Sequence, residues 1–137
     1  MDSSLFSAME ISASGMSAER VRLNVIASNI ANSRVTRSAQ GGPYRRKEVI
    51  FATCLDEKMK GQVEVVGIFP DPSPLKMIYD PSHPDADNQG FVAMPNVDIA
   101  LEMIDMIAST RAYEANLTAF KYAQDMARKA LEIGRRL

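Results

Sequence analysis

The chain has no tryptophan, one cysteine and one histidine among its 137 residues. Each scarcity excludes something. Cys54 cannot form an internal disulfide, and a small buried apolar residue is a plainer reading of it than a reactive thiol. His83 alone leaves little scope for acid–base catalysis, and neither a GxGxxG nor a phosphate loop is present. No apolar run approaches the ~18 residues that span a bilayer. The opening MDSSLFSAMEIS lacks a basic stretch followed by an apolar one, so no cleaved export signal is expected. A net charge of -1 gives no overall attraction to nucleic acid or to a membrane surface.

Proline is missing from residues 1–42 and 96–137, and glycine from residues 91–133. The C-terminal stretch that these gaps leave uninterrupted reads as one long amphipathic helix over 97–133. Met103, Met106, Tyr113, Leu117, Phe120, Ala127 and Leu131 recur at steps of three, four or seven, the spacing of a heptad seam. A second apolar set, Leu101, Ile104, Ala108, Ala115, Tyr122 and Met126, runs beside it. The apolar arc is therefore wider than one partner helix requires, and this helix wants neighbours on more than one side. Asn96 is the expected N-cap, Asp98 and Glu102 suit the positive end of the helix dipole, and Gly134 is the expected stop.

Residues 3–32 repeat the pattern more weakly. Met9, Met16, Leu23 and Ile30 are spaced by seven, Leu5, Ser12, Glu19 and Ile26 fill the alternate positions, and Ile11, Ala18 and Val25 widen the arc. This predicts a second long helix, although Ser14 and Gly15 lower its propensity. Asn24, Asn29 and Asn32 add amides that fix register when buried. Many seam residues are small, so each buries little area against an ordering cost of about 1–2 kcal/mol per residue. Both terminal helices are expected to order fully only against other subunits.

The middle changes character. Tyr44–Phe51 reads as a strand or extended arm, 62–69 and 75–79 as strands, and 91–94 as a strand that closes a small sheet. Proline-rich turns separate them. The fold class is thus mainly α: two long helices paired in coiled-coil fashion, with a small β-rich excursion between them. The expected units are residues 1–32, 33–95 and 96–137.

Charge is uneven along the chain. Residues 20–47 hold seven basic and no acidic residues, whereas 77–110 hold six acidic and no basic ones. Such polarity suits either head-to-tail packing of copies or two solvated faces. Arg45, Arg46 and Lys47 beside Tyr44 suit strand-edge solvation better than nucleic-acid binding. Asp80, His83, Asp85 and Asp87 are metal-ligand types, but in a proline-punctuated loop they read more plainly as turn residues. No metal, cofactor, nucleic acid or small-molecule substrate is expected, and the chain reads as a non-enzyme. A helical-hairpin module that forms a closed oligomer is the competing interpretation.

Two motifs carry a resemblance. Residues 14–32, SGMSAERVRLNVIASNIAN, resemble the N-terminal signature of bacterial flagellar rod and hook proteins, and Arg111-Ala-Tyr-Glu-Ala-Asn116 resembles their C-terminal one. In the middle, Gly41-Gly-Pro-Tyr-Arg-Arg46, Asp71-Pro-Ser-Pro74, residues 79–87 and Met94-Pro-Asn-Val-Asp98 are similar to proximal-rod members. The chain departs after Asn32, where Ser33-Arg-Val-Thr-Arg37 replaces Ala-Asn-Thr-like residues. The resemblance implies a structural subunit of the hollow, torque-transmitting rod of the basal body, exported by the flagellum's own type III apparatus. It implies contacts with its own copies, with other rod proteins and with the small adaptor joining the rod to the membrane ring. The assembly interface expected from seam and signatures comprises Leu5, Met9, Met16, Leu23, Ile26, Asn29, Ile30 and Asn32 on the first helix. On the second it comprises Met103, Met106, Arg111, Tyr113, Asn116, Leu117, Phe120 and Leu131.

Overall fold

The computed structural model describes residues 2–55 and 61–136. Two helices, α1 (Asp2–Ala31) and α2 (Ile99–Arg136), enclose four strands in the chain order β1 (Lys47–Thr53), β2 (Val63–Pro70), β3 (Lys76–Tyr79) and β4 (Phe91–Met94). At about 1.5 Å per residue, α2 is about 57 Å long. The helices lie against each other antiparallel: Gly15 meets Asn116, Glu19 meets Ser109, and Asn29 meets Glu102.

The residues that lower helix propensity in α1 are the ones that make tertiary contacts. A Cβ on Gly15 would lie 2.9 Å from the Asn116 amide, so glycine lets the two backbones approach. Ser14 Oγ donates to Ile11 O at 2.7 Å and accepts from Val63 N at 3.0 Å, which binds α1 to the start of β2.

The four expected strands are present, but they do not form one sheet. β1 pairs antiparallel with β2, and β3 with β4, as two separate hairpins. Period-2 alternation, reset in β1–β2 by a β-bulge at Ile50/Phe51, sets their faces. In β1–β2, Val49, Phe51, Val63 and Val65 are half-buried towards α1, while Glu48, Ile50 and Phe69 face outward. In β3–β4, Val92 is buried on one face, while Met77, Tyr79 and Phe91 are exposed on the other. Lys76 Nζ donates to Val97 O at 3.0 Å, which fastens this hairpin beside the start of α2.

Three local expectations are corrected. Asp98, not Asn96, caps α2: its Oδ1 accepts from Ala100 N at 3.0 Å and Leu101 N at 3.3 Å. Gly134 does not stop the helix, which runs through it to Arg136. Cys54 is half-buried beyond the end of β1 and not in a core, with Sγ 3.7 Å from Glu64 Oε2.

Candidate assembly interface

Small and polar side chains occupy the centre of the helix pair. On α1, Ser12, Gly15, Ala18, Val25, Ile26 and Asn29 are buried. On α2 the deepest positions are Glu102, Ser109 and Ala123, with Asn116 half-buried in the same seven-residue series. Ser109 is fully buried, and its hydroxyl donates to the Glu19 carboxylate. The apolar seam read from the sequence flanks this line: Met106, Tyr113, Leu117 and Phe120, like Leu5, Met9, Met16, Leu23 and Ile30, are half-buried at its borders. Asn32 is half-buried and donates to Ser28 O at 2.8 Å. Of the expected interface residues, Ile26 and Asn29 are enclosed within the subunit, whereas Met103, Arg111 and Leu131 face solvent.

One end of the helix pair is closed by a polar clamp. Asn29 is 1% exposed, and its amide makes four hydrogen bonds. Nδ2 donates to Lys47 O at 2.9 Å and to Glu102 Oε2 at 3.1 Å, and Oδ1 accepts from Tyr44 OH at 2.8 Å and Lys47 N at 3.0 Å. That uses both donors and both acceptor sites of the amide. The other Glu102 oxygen accepts from Arg46 Nε, and Arg46 also reaches Glu48 and Asp71. Asn96 completes the clamp by accepting from Arg46 N at 2.8 Å and donating to Ser73 O at 3.0 Å. Burial works against the Arg46 charge, but the hydrogen bonds and charges of Glu102 and then Glu48 outweigh it and raise the guanidinium pKa further.

Two of the basic trio are therefore tied into the subunit, while Lys47 stands exposed on β1. Arg46 is largely buried in the clamp, and Arg45 Nη1 donates to Asp71 O at 3.0 Å and Ser73 O at 2.8 Å. Part of the charge polarity along the chain is also neutralised inside the subunit, through Arg46 with Glu102 and Asp105 and through Arg37 with Asp85. The 80–90 loop uses Asp80 and Asp87 in turns and Asp85 to hold the loop after α1. Asp80 accepts from Ser82, Asp87 from Gln89 N and Phe91 N, and Asp85 from Thr36. Among the described residues, no three His, Cys, Asp or Glu side chains are grouped to hold a metal ion.

Opposite the clamp and seam, α2 presents an uncovered apolar stripe. The second set read from the sequence, Leu101, Ile104, Ala108, Ala115, Tyr122 and Met126, is exposed throughout; Ile104 is 60% and Tyr122 66% accessible. The subunit exposes 9836 Å² in all, where a compact folded protein of its mass exposes about 7,100 Å². Among the described residues, no helix is long and apolar enough to cross a membrane.

Comparison with known proteins agrees with the placement of these elements. The family described as "Flagella basal body rod protein" matches residues 9–37, within α1 and the loop after it. The family described as "Flagellar basal body rod FlgEFG protein C-terminal" matches residues 88–133, from the β3–β4 hairpin through α2. The flagellar basal-body rod protein FlgC of Borreliella burgdorferi is 42% identical, over 94% of this chain and 97% of its own length. FlgC of Bacillus subtilis is 42% identical over 95% of this chain and 98% of its own length. FlgC of Salmonella typhimurium is 36% identical, again over 95% of this chain and 98% of its own length. With matches at both helices and this identity across nearly the whole sequence, the chain belongs to the FlgC family of flagellar basal-body rod proteins, structural subunits of the basal body.

Proposed function

We propose that this chain is a wall subunit of the proximal rod, joining its own copies and related rod proteins into a hollow shaft that transmits torque. The axial helices of segments 1–32 and 96–137 pair in coiled-coil fashion to build the wall, and segment 33–95 faces outward or toward the subunits below. The uncovered α2 stripe is the observation that carries this reading. Its large apolar side chains stand in water in the lone subunit, whereas the opposite face of the same helix is sealed by α1. Exposed apolar surface of this extent marks contact with other chains.

Extent of surface supports an open assembly over a closed pair. The surface beyond that of a compact fold is about 2,700 Å², against about 800 Å² that each partner gives to a standard interface. Several neighbours of standard size would share it. Different patches meeting on successive subunits generate an open helical tube. Dense packing on several sides, and no single bond, makes such a wall stiff.

The border residues of the seam, Leu5, Met9, Met16, Leu23, Ile30 and Asn32 on α1, reach neighbouring helices in this reading. So do Met103, Met106, Arg111, Tyr113, Leu117, Phe120 and Leu131 on α2. Ile26, Asn29 and Asn116 set the spacing from inside. Delivery by the type III apparatus without signal cleavage suits helices held by small residues, which order fully only at the growing end. The membrane-ring adaptor is the partner at the base.

The test is to replace the native chain in cells with Ile104→Asp or Tyr122→Asp. Both side chains are exposed, so the purified variants should melt like the wild type. A charge in the wall contact lacks a partner there and opposes assembly. The variants should be missing from isolated basal bodies, and the cells non-motile. Normal motility with either variant contradicts the proposal.

A further inference from the structure

The β3–β4 hairpin is attached unlike the other elements. Among the described residues, its strands make no close backbone approach to α1, to α2 or to the β1–β2 hairpin. It is bonded instead at its two ends. At its base, Lys76 Nζ donates to Val97 O at 3.0 Å, beside the start of α2. At its far end, the 80–90 loop reaches the segment that follows α1, and one side chain makes that link.

That side chain is Asp85. Its Oδ2 accepts from Thr36 Oγ1 at 2.8 Å, and its Oδ1 accepts from Arg37 Nη2. Both carboxylate oxygens are thus held by one segment. The backbone behind them is fixed as well: Asp85 N donates to His83 Nδ1 at 3.0 Å, and His83 N donates to Asp80 O at 3.1 Å. On the other side, the segment carrying Thr36 and Arg37 is closed at its neck by Tyr44 N, which donates to Val35 O at 2.9 Å. Tyr44 also donates to Asn29, so the segment is continuous with the clamped end of α1.

Packing alone does not fix the hairpin at this end. Val92 is buried and seats one face, but apolar burial has no direction. A cleft of about 270 Å³ stays open between hairpin and segment, lined in part by Thr36, Gly42, Pro43, Ala86 and Ala93. The directional bonds across it are those of Asp85, and bonds to a charged acceptor are the stronger kind. The Arg37 side chain is 75% exposed, so solvent screens its share and the Thr36 bond is the sheltered half.

We propose that Asp85 is a positioning residue: gripped by Thr36 and Arg37, it latches the β3–β4 hairpin and sets the direction in which it leaves the helix pair. Met77, Tyr79 and Phe91 are exposed on this hairpin and travel with it. The latch therefore decides where the subunit presents that apolar face. With the latch open, the bond from Lys76 remains and the hairpin turns about its base.

The test is a distance measurement in the full chain. Spin labels are placed at Asn88→Cys, at the far end of the hairpin, and at Ala108→Cys on α2, in a Cys54→Ser background; both labelled positions are exposed. Double electron–electron resonance should give one narrow distance in this parent. Asp85→Ala should lose the narrow peak, and so should Thr36→Val combined with Arg37→Ala, which leaves the bonds inside the 80–90 loop intact. All three substitutions together should broaden the distribution no further than either set alone. Helix content by circular dichroism should match the parent throughout.

A narrow peak retained in Asp85→Ala overturns the latch. A peak lost in Asp85→Ala but kept in the Thr36 and Arg37 variant also overturns it, because Asp85 then acts within its own loop. Lost helix content in either variant overturns it too, since Asp85 would then hold the fold and not a direction. The inference concerns the single subunit, so each of these results leaves the wall reading standing.

Discussion

Gly15 and Asn29 set how the helices meet. At Gly15 an added Cβ would fall 2.9 Å from the Asn116 amide, which is itself held by its bond to Ala112 O. Gly15→Ala gains helix propensity of about 1 kcal/mol but overpacks the crossing. A net loss of about 1 kcal/mol is expected, seen as a lower urea midpoint at unchanged m-value and recovered by Asn116→Ala in the same chain. At Asn29, the carboxamide satisfies a backbone donor, a backbone acceptor, a phenol and a carboxylate together. Asn29→Asp places a second carboxylate against Glu102 where water cannot screen it, and should cost about 3 kcal/mol in chemical denaturation. Such residues are poorly legible in sequence. A rule that seeks apolar side chains finds Met106, Leu117 and Phe120 at the borders of the seam, one to four positions away from Glu102, Ser109 and Asn116. Close approach of the helices leaves room at the centre only for small or hydrogen-bonded groups. Asn29 was legible as a register-fixing amide, but Arg46 was not, because its partner Glu102 lies 56 positions away.

Among the elements, the long helices were the most legible, because unbroken propensity over thirty or more residues is a strong local signal. The strands were legible as short β-branched and aromatic runs between proline and glycine breaks, but their pairing was not. Nothing local to 47–53 or 91–94 says that each belongs to a separate hairpin, since that is decided by which strand follows within reach. The N-cap was misplaced by two residues because Asn96 and Asp98 are equally good caps in isolation. Only the structure shows that the Asn96 side chain is occupied by Arg46 N and Ser73 O. The loops between the strands depend on carboxylates held ionised. Hydrogen bonds from the Ser73 hydroxyl and amide, then Arg46, lower the Asp71 pKa; Thr36, then Arg37, lowers that of Asp85; the Ser82 hydroxyl lowers that of Asp80. A carboxylate with a depressed folded pKa contributes stability above its unfolded value, near 3.9 for aspartate, and that contribution is lost as pH falls through the folded value. The melting temperature should therefore hold level from neutrality to about pH 5 and decline below about pH 4. Asp85→Asn should shallow that decline, read by melts across the acid range.

At the scale of the whole molecule, the helix pair leaves work for other subunits. One face of α2 is sealed by α1, the other is open over its length, and two small hairpins add little cover. A surplus apolar stripe on α2 was legible in the sequence, as was the need for more than one neighbour. Which of the two stripes stays free was not, because periodicity ranks both as apolar and is blind to the partner's small residues. The clamp at Asn29, Arg46 and Glu102 ties residues 44–48 to the end of α1 and the start of α2. Glu102→Ala should then weaken more than one element, lowering protection from hydrogen exchange at 44–48 and at the start of α2 together. Protection lost at one of them alone would show that the clamp does not couple them. The central claim is that the α2 stripe is bare in the free subunit and covered in the rod. Hydroxyl-radical footprinting of Tyr122 and Met126, in the purified chain and in isolated basal bodies, measures this directly. Strong labelling in the free chain and protection in the basal body is the predicted result; equal labelling in both would contradict it.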